Sequence, residues 1–217
     1  MTEWVPTFDY PGGGEWQWLD VRDLPEAAER IARRVADRGG RRGRRYAREI
    51  YRELTDSWAQ AAEAGTEPVV AYVPQVRREA PPAVPASIQV QRYAPDHART
   101  VAAVMERQRV PVEGPGISYL QADHLAAVEL PAGRACRLHQ AILADTGFGG
   151  QTALESVNYW VLPGELGEDI LMLTALWAQD SVPGMVELAD AVAASLTLVP
   201  RGSGEEAPRP VLDPGRR

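Results

Sequence analysis

The chain has 217 residues, 45% of them apolar and 24% charged, a composition that excludes a disordered or fibrous chain and fits one substantial folded domain. Its net charge of −7 disfavours non-specific binding to nucleic acid or to an anionic membrane surface. A single cysteine, Cys136, excludes an internal disulfide framework and any multi-cysteine metal site.

The opening Met1-Thr2-Glu3-Trp4 carries neither the basic stretch nor the apolar run of a secretory signal. No segment reaches the ~18 uninterrupted apolar residues of a membrane span. The expectation is a cytoplasmic protein without membrane insertion.

Residues 1–20 hold Trp4, Phe8, Tyr10, Trp16 and Trp18 around Pro11-Gly12-Gly13-Gly14, against only ten aromatics in the rest of the chain. The favoured reading is an N-terminal arm whose rings plug into the domain and tie the terminus down. The functional reading makes Trp16 and Trp18 a platform for a partner.

Asp23-Leu24-Pro25 then marks a helix start, with Asp as cap and Pro in the first turn. Leu24, Ala28, Ile31 and Val35 form one apolar stripe; Ala47, Ile50, Leu54, Trp58 and Ala61 form another. Gly39-Gly40 separates them, so residues 23–64 read as a helical hairpin or one long helix broken at the glycines. Residues 21–58 hold eleven Arg against seven acids, and five of those arginines fall within 38–45. Arg41, Arg42, Arg44 and Arg45 are candidate partner-binding residues, since guanidinium forks suit carboxylate or phosphate. The plain alternative is a solvated loop. Nucleic acid is disfavoured, because no aromatics interleave the arginines and the remainder is acidic.

From Glu67 the apolar period changes to two. Strands are expected over Pro68–Arg78, Ser87–Tyr93, Ile117–Gln121, Ala126–Leu130, Arg134–Ala144, Thr152–Leu162 and Ile170–Ala178. Ala80–Pro85 is a proline-rich connector, and a helix is expected over His97–Arg109. In Arg134–Ala144, Cys136 and Leu138 share a face while Arg137 and His139 take the other. Ile170–Ala178 is apolar on both faces, which marks a central strand covered on both sides. A closing helix is expected over Gly184–Leu198 and a disordered tail over Arg201–Arg217. The fold class is therefore α+β. A mostly antiparallel sheet of five to seven strands (67–200) carries the helical hairpin and the closing helix in one domain over 21–200.

Chemistry-bearing patterns are sparse. His97, His124 and His139 lack the spacing of metal ligands, Cys136 lies mid-strand as a buried thiol, and no serine sits in a G-x-S-x-G elbow. Glu165, Glu168 and Asp169 lie together in a polar loop. No catalytic residue, cofactor or metal is indicated. The leading expectation is a non-enzymatic protein–protein or accessory module. The alternative is a small-ligand binder or divergent enzyme with a pocket between sheet and helices near Tyr119, His124 and His139.

Gly133-Arg134-Ala135-Cys136-Arg137-Leu138 precedes the strand pair Tyr159-Trp160-Val161-Leu162 and Ile170-Leu171-Met172-Leu173-Thr174, and Leu196-Thr197-Leu198-Val199-Pro200 follows a short helix. From Val69 to Pro200 this order resembles the closing half of the Mog1/PsbP-like fold, including LpqN-like actinobacterial proteins. The resemblance implies a partner-binding module and carries over no functional residue. All 23 basic residues are Arg and none is Lys, which looks like the coding bias of high-GC bacteria such as actinobacteria.

Overall fold

The computed structural model describes residues 2–12, 14–19, 24–63, 65–74, 83–109, 117–119, 124–145, 151–179, 181–205 and 207–212. The expected cap at Asp23, the connector before Ala83, the loop 110–116, the turn 146–150 and residues 213–217 lie outside the described residues.

Long apolar-alternating segments at the C-terminal end of the chain form the centre of the sheet. β10 (Ile170–Ala178) pairs antiparallel with β5 (Ala86–Tyr93) on one side and β9 (Gln151–Leu162) on the other. β8 (Gly133–Asp145) pairs with β9 along its whole length. Its outer edge is shared by β7 (His124–Leu130) and β6 (Ile117–Tyr119). At the opposite side β4 (Thr66–Tyr72) and β3 (Trp16–Leu19) complete the order β3-β4-β5-β10-β9-β8-β6. All of these pairs are antiparallel. The β7–β8 turn depends on Gly133, whose φ is +137°. A Cβ there would meet the Leu162 carbonyl oxygen at 2.7 Å, so no other residue fits without moving β9.

One face of the sheet is closed by α3 (Met185–Ser195). Met185, Ala189, Val192 and Ala193 pack on Leu171, Leu173, Val157 and Tyr159. On the other face, α2 (Val101–Gln108) covers Cys136, Leu138, Trp160 and Ile170 near one side. Thr100 starts α2, its Oγ1 accepting from the Ala103 N–H at 3.1 Å, so the helix begins four residues later than its sequence pattern suggests. Beside α2, α1 (Leu24–Glu63) covers β3 and β4 through Ile31, Val35, Tyr46, Ile50 and Leu54.

α1 is helical throughout, yet it is not straight. Residues eight apart on a straight helix lie about 12 Å from one another. A Cβ on Gly43 would instead stand 2.9 Å from the Val35 carbonyl oxygen and 3.1 Å from that of Ala36. The axis therefore doubles back between Val35 and Gly43, and glycine at 43 lets the two halves touch. This is the helical hairpin that the two apolar stripes predict. Among the described residues no helix is long and apolar enough to cross a membrane.

Strand pairing ties both ends of the described chain to the domain. The aromatic arm is part of the domain: β1 (Trp4–Thr7) pairs with β11 (Thr197–Pro200), and β3 is the edge strand of the main sheet. The closing helix stops at Ser195, because residues 197–200 are needed as β1's partner. The expected disordered tail is also corrected over Arg209–Leu212, which form β12 in parallel pairing with β2 (Asp9–Pro11). Arg209 Nε donates to Asp9 Oδ1 at 2.8 Å, so main-chain pairing and a charge pair hold a segment with little apolar surface.

Candidate functional site

The two faces of the sheet differ in what their alternating residues leave exposed to chemistry. On the α3 side, β5 contributes Ala86, Ile88 and Val90, all buried in the main core. On the α1 side the same strand contributes Ser87, Gln89 and Gln91. Register aligns Gln89 with Val69 of β4 and Thr174 of β10, and aligns Thr174 in turn with Asn158 of β9. Ser87 lies opposite Leu176, which lies opposite Ser156. A polar band thus crosses an otherwise apolar sheet. Part of it is tied together: Thr174 Oγ1 donates to Asn158 Oδ1 at 2.9 Å, and Asn158 Nδ2 donates to Ser156 Oγ at 3.1 Å. Ser156 and Asn158 are buried, where an unpaired amide is costly and a paired one is tolerated.

Between this band and α1 lies a cleft of about 230 Å³. Leu54 of α1 and Leu19 form its wall, Ser87, Gln89 and Leu176 its floor, and Leu154 one side. Among the described residues lining it, none is ionisable. The Gln89 amide and the Ser87 hydroxyl are half-buried and make no hydrogen bond among the described residues.

The rim of the cleft is fixed from α1. Glu53 accepts from the backbone N–H groups of Ala83 at 3.0 Å and Val84 at 2.8 Å. About two turns earlier, the Tyr46 hydroxyl donates toward the Ala83 carbonyl at 3.2 Å. Val84 and Pro85 line the cleft, so both bonds set its width.

A second concavity, of about 310 Å³, lies by the N-terminal strands and is lined by Trp4, Trp18, Arg92 and Arg201. Its charges are already matched: Arg201 Nε is 3.0 Å from Glu3 Oε2, and Arg92 Nη2 is 2.7 Å from Asp169 Oδ2. It offers no comparable unengaged group in a charge-free setting.

The residues singled out from sequence fall in several places. Arg41, Arg44 and Arg45 are exposed on the outer side of α1; the Arg42 side chain lies outside the described residues. Arg45 Nε reaches Glu49 at 3.4 Å. Trp16 is buried, its ring 5.3 Å from that of Tyr72, so it is a core residue and presents no platform. Trp18 is half-buried against the same core.

His124 and His139 are brought directly opposite one another on β7 and β8, their rings stacked at 6.4 Å. They stand on the α3 side of the sheet at its far edge, whereas the cleft lies under α1, on the other face. The Tyr119 side chain lies outside the described residues. Among the described residues no group of three His, Cys, Asp or Glu side chains could hold a metal ion.

Cys136 is fully buried, and burial pushes its thiol up to about 11. At that value the nucleophilic thiolate is scarce at neutral pH. Arg137 Nε donates to Tyr159 Oη at 3.1 Å and to Asp190 Oδ1 at 2.9 Å, while Tyr159 donates to Asp190 as well. Burial, and then the Asp190 contact, raise the Tyr159 phenol above its ordinary range. This cluster pins α3 to β8 and β9. The alternation of polar and apolar residues in β5 was the sequence signal for the cleft, together with Asn158 and Thr174 in strands otherwise rich in apolar residues.

No family model matches the chain, and no curated protein matches it. It is similar to a solved structure described as that of LpqN involved in cell envelope biogenesis of Mycobacterium tuberculosis. The two are 13% identical with a TM-score of 0.43, over 90% of this chain and 84% of that one. At that identity and superposition no residue role passes from one protein to the other.

Proposed function

We propose that this chain is a non-enzymatic accessory module that binds a small uncharged molecule in the cleft between α1 and the sheet. The described lining supports the reading: apolar walls surround the Gln89 amide and Ser87 hydroxyl, with no ionisable side chain among the described residues. A half-buried amide beneath a helical roof has lost part of its water. A ligand group that can donate to it and accept from it restores those bonds. A charged ligand would lose its own hydration there and meet no counter-charge. The cleft is large enough to hold several waters that an apolar ligand body would release.

Two dyes with the same ring skeleton test this. N-phenyl-1-naphthylamine is neutral, and 8-anilinonaphthalene-1-sulfonate adds a single negative charge. The neutral dye should be taken up at one site, with the sulfonate binding about tenfold or more weaker. Leu176→Trp and Leu154→Trp each put a ring into the cleft from a half-buried position and should abolish uptake. Gln89→Leu should weaken it about fivefold. Equal uptake of both dyes, or undiminished uptake by both tryptophan variants, would remove the proposal.

A further inference from the structure

We infer that the outward face of α1 is a docking surface for an acidic helix of a partner protein. Among the described side chains between residues 26 and 52, eight arginines are exposed (30, 33, 34, 41, 44, 45, 48 and 52) against three exposed acids, Glu26, Glu29 and Asp37. Residues 21–58 carry a net +4, so the rest of the chain, with 12 Arg against 23 acids, carries −11. Positive charge is therefore concentrated on this stretch, most of which is α1.

The patch has an order that a solvated charge run does not need. Arg48, Tyr51 and Arg52 follow Arg44 at spacings of four, seven and eight, and Arg45 flanks them. Those five side chains share roughly a third of the helix circumference over a rise of about 12 Å. Arg41 extends the row at the bend. Tyr51 is 41% exposed and is one of only two exposed large apolar side chains among the described residues. A ring set among guanidinium groups is the composition of interface hot spots.

The arginines are also available. Arg33 pairs with Glu29 at 2.6 Å and Arg45 with Glu49 at 3.4 Å, both with arginine side chains about three-quarters exposed. Exposed i,i+4 pairs of this kind contribute little and exchange readily for a better-placed carboxylate. Guanidinium forks bind carboxylates in two parallel hydrogen bonds, and glutamates one turn apart on a partner helix repeat at the spacing of this row. A nucleic acid is the poorer match. A single ring offers little base stacking, and a long polyanion would run onto the −11 remainder. The surface faces away from the cleft, so the two proposals stand or fall separately.

Replacing Tyr51 with the photoreactive residue p-benzoylphenylalanine in cells of the source organism, with the same replacement at Val211 as the control site, tests the inference. Irradiation should give a protease-sensitive adduct at position 51 and none at 211, and the cross-linked peptide should carry closely spaced Asp or Glu. In the R44Q/R45Q/R48Q background the yield should fall roughly tenfold or more, and the single R48Q change should give a smaller loss in the same direction. A nuclease-sensitive adduct, an attached peptide without acidic residues, a yield unmoved by either arginine background, or no adduct at all would each overturn it. Unchanged dye uptake by the R44Q/R45Q/R48Q protein would confirm that the cleft is unaffected.

Discussion

The two faces of one sheet have been given opposite treatments. On the α3 side the strands present Val157, Leu171, Leu173 and Ile88, all fully buried, and Arg137, Tyr159 and Asp190 there satisfy one another. On the α1 side the same strands present Gln89, Ser87, Thr174 and Asn158, and the covering helix stands off far enough to leave a cleft. Adjacent residues of a strand differ by one step in sequence and by a whole environment in space. One face is built to hold the fold together, and the other has given up packing for hydrogen-bonding groups that the protein does not fully use.

Leu173 and Leu176 sit on one strand and face opposite sides. Leu173→Ala should cost about 2–5 kcal/mol in denaturant unfolding, as for other fully buried leucines. Leu176→Ala, at the half-buried cleft floor, should cost about 1 kcal/mol. Equal losses would mean that the α1 side is packed as tightly as the other.

Alkaline pH gives the next effect. The Cys136 thiol is raised from 9.0 to about 11 in the folded protein, so the folded state binds that proton more tightly than the unfolded one. The associated stability is present in full below pH 9 and is lost as pH rises from 9 to 11, by about 3 kcal/mol. Tyr159, also raised by burial, pushes in the same direction at still higher pH. Urea midpoints taken at pH 8 and pH 10 should show the fall, and Cys136→Ala should remove most of it.

Glu53→Ala removes the acceptor of two backbone N–H groups at the cleft rim, and should cost about 2 kcal/mol. It should also weaken uptake of the neutral dye, whereas Asp190→Ala on the other face should lower stability and leave uptake unchanged. The smallest effect is expected from Thr174→Val, which removes one hydrogen bond to Asn158 and should cost about 1 kcal/mol.

Much of this architecture is legible in the sequence, because the long strands β8, β9 and β10 carry their burial pattern in their own alternation. The two apolar stripes of α1 and the glycines between them likewise foretell a doubled-back helix. What escapes is whatever a local pattern cannot hold. Residues 197–200 have helical neighbours and become a strand only because β1 lies beside them. Arg209–Leu212 are polar enough to read as disorder, and are ordered by main-chain bonds to β2. His124 and His139 face each other through a register that no spacing rule announces. The alternation of Gln89 with Ile88 is plain in the sequence, but the roof over Gln89 comes from a helix some forty residues away, so a candidate site looks like a solvated face.

Amide chemical shifts of the isotope-labelled protein, followed during titration with N-phenyl-1-naphthylamine, test the central claim most directly. The account predicts saturable shifts at Ser87, Gln89, Leu154 and Leu176, including the Gln89 side-chain NH₂, with Leu171, Leu173 and Val192 unmoved. Shifts confined to the α3 side, or none at saturating dye, would contradict it.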